Sequence, residues 1–178
     1  MTPIVLRPLL AALALLLFLP QPISAQENLS IGSFVGTFSG SGIAEGSDPI
    51  YAPETARDMD VVIRVAGDGF EVTWTTVVRD PNGKATRKTE TLGFDRAGPN
   101  RFTAPSRRDA MTAGGLAWAG IEAQTLNVYI LTIDDNGGYQ LQRYARTLSG
   151  RGMELTFTRT ASGDARRSVK GLLVKTAK

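Results

Sequence analysis

Residues 32–42 read Gly32-Ser-Phe-Val-Gly-Thr-Phe-Ser-Gly-Ser-Gly42. A phosphate-cradling loop would need a strand before it and a helix N-terminus after it, so that backbone N–H groups converge on the anion. Gly42 instead runs into IAEGSDPIYAPE, which has neither helical periodicity nor a Gly-Lys-Ser/Thr sequence. Read with a period of two, Gly32, Phe34, Gly36, Phe38, Gly40 and Gly42 share one face, and Ile31, Ser33, Val35, Thr37, Ser39 and Ser41 the other. Each glycine weakens a strand by ~0.5–1 kcal/mol, so this density suits a strand that must coil tightly and let its neighbour approach. The stretch predicts the first strand of a small barrel, with Phe34 and Phe38 filling its interior.

The chain beyond it repeats one pattern of short alternating runs divided by turn-forming clusters. Gly67-Asp68-Gly69 separates residues 60–66 from 70–79, Asp80-Pro-Asn-Gly83 precedes 85–94, and Asp135-Asn-Gly-Gly138 separates 125–134 from 139–148. Further turns at 96–100, 149–152 and 162–164 set off residues 101–104, 153–160 and 167–175, while 105–115 break the rhythm as a loop or a single helical turn. Such turns are too short for parallel crossovers. The expectation is an all-β fold, an antiparallel up-and-down meander barrel of roughly 8–10 strands; the alternative is a β-sandwich. Closure removes exposed strand edges, which favours the barrel.

Residues 1–25 carry one early base, Arg7, an apolar run over Leu9–Leu19, a proline-containing break and small residues before Gln26. That layout predicts a secretory signal peptide cleaved after Ala25, leaving 26–178 as a single domain. The apolar run is too short for a membrane span of about 20 residues. With 20 basic and 17 acidic residues, one of the basic ones in the leader, the charge balance does not argue for nucleic acid. Cysteine and histidine are absent, which removes disulfides, thiolate metal sites, His-based triads and ordinary zinc centres. A periplasmic or secreted location follows, with no metal and no cofactor expected.

Gly32-Ser33-Phe34 sits where lipocalins carry Gly-x-Trp on their first strand, with Phe for Trp. Together with the meander, this resembles the calycin-type barrels, the lipocalins and related small bacterial ligand-binding barrels. The resemblance implies a barrel open at one end that holds a small, largely apolar ligand, and it identifies no binding residue.

The candidate site residues come from the strands. Phe34, Phe38, Trp74, Trp118 and Tyr129 are large aromatics at alternating positions suited to lining or filling a barrel, and an indole N–H can face a ligand at a cavity mouth. Arg143 shares a strand face with Tyr139, Leu141 and Ala145, where its fork could take a ligand carboxylate, the alternative being an edge-facing arginine whose stem packs while its head reaches water; Tyr144 and Arg146 occupy the opposite face. Acids at 45–60 show no calcium-binding spacing, and 45–58 reads as a long first loop that would overhang the open end as a lid. With no diagnostic catalytic spacing, the expectation is a protein that is not an enzyme and that binds a small hydrophobic or amphipathic ligand inside the barrel. The alternative is an envelope interaction protein that uses the barrel as a scaffold for a protein partner.

Overall fold

The computed structural model describes residues 27–46, 55–80 and 82–177. A short 3-10 turn, Ile31–Phe34, is followed by ten strands: β1 (Gly36–Gly46), β2 (Thr55–Ala66), β3 (Gly69–Arg79), β4 (Ala85–Gly98), β5 (Arg101–Arg108), β6 (Leu116–Glu122), β7 (Thr125–Ile133), β8 (Tyr139–Ser149), β9 (Gly152–Ala161) and β10 (Asp164–Ala177). Each strand pairs antiparallel with its neighbours in sequence, and β1 closes the ring on β10. The meander is therefore a closed barrel and not a sandwich. The signal peptide expected over 1–25 and most of the expected lid, residues 47–54, lie outside the described residues. The flanks of that lid, at 45–46 and 55–58, are strand rather than loop.

The glycine-rich stretch is not one strand throughout. Residues 31–34 form a 3-10 turn, in which side chains three apart fall on one side, and this buries Ile31 together with Phe34. Period-two alternation begins only at Gly36, whose φ of 144° sets the change of direction. From there Phe38 faces inward as expected. Gly40 is required by close approach: a Cβ there would overlap the Leu172 carbonyl oxygen and lie 2.8 Å from Leu173 Cα on β10. The glycines thus let the first and last strands meet.

One end of the barrel is packed solid. Phe70 stacks on Phe94 at 4.9 Å and meets Phe102 edge-on at 5.0 Å, and Phe34, Ile63, Ile121 and Leu126 belong to the same buried core. Burial of side chains of this size contributes about 1.5–3 kcal/mol each. The N-terminal segment is fastened to this end, where Leu29 N–H donates to the Ala123 carbonyl over 2.9 Å and Asn28 Oδ1 accepts from Ala123 N–H.

The wall has one seam. Between β4 and β5 the register covers only Asp95 with Thr103, Arg96 with Phe102, and Gly98 with Arg101. Residues 85–93 of β4 therefore run without a ladder to β5, and Pro105 has no N–H to offer one. Arg107 bridges the gap, donating to Glu90 Oε1 at 2.6 Å and to the Gly114 carbonyl at 2.7 Å. Residues 105–115, which break the alternation in the sequence, extend β5 to Arg108 and then turn across the end of β7, where Ile133 N–H donates to the Ala110 carbonyl over 2.8 Å.

Candidate functional site

The half of the barrel away from the phenylalanine core is hollow. A cavity of about 380 Å³ lies among β2, β3, β4, β8, β9 and β10, within the size range of small-molecule sites. Its apolar lining comes from Met59, Val61, Trp74, Tyr144, Leu155, Phe157 and Val169. Strand register explains the set: Val61 lies opposite Trp74, Tyr144 opposite Phe157, and Phe157 opposite Val169. The rings form one continuous layer, with Trp74 to Tyr144 at 5.0 Å and Tyr144 to Phe157 at 4.8 Å between centres. The Tyr144 hydroxyl donates to Gln142 Oε1 over 3.0 Å. Burial above all, with Glu90 nearby, pushes its phenol up to about 12, so it is neutral and a hydrogen-bond donor at ordinary pH.

The open end of this cavity is basic. Arg57, Lys88, Arg159 and Arg167 line it, and Arg159 and Arg167 are direct partners across β9 and β10. Burial, and then the charge of Arg167, hold the Arg57 guanidinium below its usual value. Of the two acids in the lining, Asp60 and Glu90, Glu90 is already engaged by Arg107. A second, polar cleft of about 770 Å³ continues from Lys88, Glu90 and Gln142 toward Arg107 and Thr112, and opens along the seam.

Beneath the ring layer lies Arg146, two positions nearer the closed end than Tyr144 on β8. It is fully buried, and its Nε, Nη1 and Nη2 make no hydrogen bond among the described residues. Its Cζ stands 5.5 Å from the ring centres of both Trp74 and Tyr144, and burial drives its pKa down to about 10.

The residues expected at the site divide. Trp74 lines the cavity. Phe34 and Phe38 are interior but belong to the packed core, and the Phe38 ring is capped by Lys175 Nζ at 5.5 Å. The interior placement expected for Trp118, Tyr129 and Arg143 is corrected by the register. Their strand neighbours Ala117, Ala119, Val128, Ile130 and Arg146 are buried, so these three project from the outer wall. There Trp118 and Tyr129 stack at 5.0 Å, and Arg143 Nε donates to Asn127 Oδ1 over 3.0 Å.

Tyr144, Phe157, Arg146 and the mouth arginines were missing from the expected site. The signal that finds two of them is the hairpin at 134–138: once Leu126, Val128 and Ile130 face inward, counting back from the turn places Arg146, Tyr144 and Gln142 opposite them.

No family model matches this sequence, and no curated protein does. Among solved structures, the barrel is similar to the S-type phycobiliprotein lyase CPES from Guillardia theta, at 10% identity over 88% of this chain and 99% of that one, with a TM-score of 0.38. At that score the fold rests on the strand pairing itself and no activity passes to this chain. The expectation of a protein that is not an enzyme is withdrawn: the similar barrel is named a lyase, and the carboxylate, tyrosine, lysine and serine side chains of this chain can act in catalysis without histidine or cysteine.

Proposed function

We propose that this barrel binds a small amphipathic molecule in its hollow half and works in the periplasm or outside the cell. The observation that carries the reading is the cavity itself: about 380 Å³ with an aromatic floor and a basic mouth, in a barrel whose other half is densely packed. The floor of Trp74, Tyr144 and Phe157 suits an apolar body, since aromatic walls supply contact area at fixed geometry. Guanidinium groups at the mouth would draw anionic or polar-headed molecules toward it. Export is supported by the leader-like pattern of residues 1–25. Charged residues on the outward strand positions, among them Arg64, Glu71, Glu154 and Lys170, suit a wall that faces water.

The two tryptophans give a direct test, one lying at the cavity and one on the outer wall. Titration with an apolar aromatic probe such as phenylnaphthylamine should change the fluorescence of Trp118→Phe, which keeps Trp74, and leave that of Trp74→Phe unmoved. A response carried by Trp118 alone would refute binding in the cavity. For export, mass spectrometry of the protein recovered from the periplasm or medium should give an N-terminus at Gln26; intact protein held in the cytoplasm would refute the location.

A further inference from the structure

Arg146 is not explained by packing. A guanidinium carries five N–H donors, and burying a charge without a hydrogen-bonding partner is among the costliest arrangements in a protein interior. Cation–π contact with Trp74 and Tyr144 offsets part of that cost, but neither ring accepts the in-plane N–H groups. The inward residues nearest it in register, Leu126 on β7 and Leu155 on β9, are apolar. Among the described residues no carboxylate makes an ion pair with it, and the Glu90 carboxylate on the cavity wall is held by Arg107.

The surroundings point to where a counter-charge would come from. The Trp74 and Tyr144 rings that contact the guanidinium, and its register partner Leu155, all line the cavity. The mouth above them is lined by Arg57, Arg159 and Arg167, with Asp60 and the Arg107-bound Glu90 as the acids of the lining, so an anion is drawn to the entrance.

We infer that the ligand is an amphipathic organic acid whose anionic group pairs with Arg146 beneath the ring layer, Trp74 and Tyr144 shifting to admit it while the apolar body stays in the cavity. This rests on the reading of the cavity as a ligand site. A carboxylate, sulfonate or phosphate could fill the role, since each offers an oxygen pair that accepts both N–H groups of a guanidinium fork.

The experiment uses two fluorescent probes with the same rings, anilinonaphthalene sulfonate and its uncharged parent phenylnaphthylamine, titrated into the mature protein. The sulfonate should bind about tenfold tighter or better, and Arg146→Met should abolish that preference while leaving the uncharged probe's affinity unchanged. Arg146→Lys keeps the charge but lacks the fork, and should retain only part of the preference; it also serves should the methionine variant fold poorly. Equal binding of both probes, unaffected by Arg146→Met, would leave the cavity reading standing and remove the acid. A preference lost in Arg57→Gln but kept in Arg146→Met would place the acid at the mouth and overturn the role of Arg146. Failure of both probes to bind would sink the cavity reading and this inference with it.

Discussion

Arg146 Cζ lies 5.5 Å from the centre of the Trp74 ring, with the guanidinium fully buried and its three nitrogens without a hydrogen bond among the described residues. A desolvated cation–π contact is worth about 2 kcal/mol, less than the several kcal/mol lost when an ion is buried unpaired. Arg146→Met keeps most of the volume and removes the charge. It is expected to raise the unfolding free energy of the ligand-free protein by about 1–3 kcal/mol in urea denaturation. A loss of stability would show that the two rings alone satisfy the guanidinium.

The same pair of side chains predicts an unusual alkaline profile. Burial raises Tyr144 from 10.0 to about 12 and lowers Arg146 from its usual value to about 10. Between those limits the unfolded chain gives up the phenol proton that the folded one keeps, so Tyr144 costs stability as pH rises. Arg146 acts with the opposite sign, because the unfolded chain keeps the guanidinium proton that the folded one sheds. Relative to wild type, Tyr144→Phe should therefore gain stability between roughly pH 8 and pH 11.5, and the advantage of Arg146→Met should shrink over the same interval. Denaturation curves at the two pH values check both, and parallel behaviour of all three proteins would contradict the assignment.

Gly40 is where β1 and β10 come closest, and a side chain there meets the Leu172 carbonyl. Gly40→Val should cost about 3 kcal/mol or prevent closure, by overpacking against backbone that cannot rotate away. Gly67→Ala is the comparison: its φ is 56°, yet no atom lies within 4 Å of the added carbon, so only the strain of about 1 kcal/mol remains. Thermal unfolding of the two variants separates closure from turn strain.

Glu90 and Arg107 hold the seam at 2.6 Å from positions largely screened from solvent. Glu90→Gln should cost about 1–2 kcal/mol. More specifically, it should speed amide exchange in residues 105–115 while the ladders of β7 and β8 stay protected. Uniform loss of protection would mean that the pair supports the whole barrel rather than the seam.

Much of the fold was legible because the cues are local. Turn chemistry at 67–69, 80–83 and 135–138 acts over four or five residues, and alternation between turns follows from the strand's period of two. Asp134 shows how local: its Oδ1 accepts the N–H groups of Asn136 and Gly138, each at 2.9 Å. Residues 31–34, where the glycine-rich stretch begins, differ from the expected strand because a 3-10 turn and a strand are equally compatible with IGSF, and only docking on the closed end selects the turn.

The candidate site was less legible. By itself the sequence determined an all-β meander and the glycine run that lets β1 meet β10; these depend on composition and near neighbours. Which face of each strand points inward was decided only by pairing around the closed ring, since a shift of one residue reverses every side chain. On β8, Arg143 amid Leu141 and Ala145 looked inward, yet closure turns it out and puts Tyr144 and Arg146 in. Whether the interior is filled also rests on tertiary structure: the phenylalanine core and the ring layer draw on β1, β3, β4, β5, β8 and β9, and no single stretch records that they pack one half and leave the other hollow over a buried arginine.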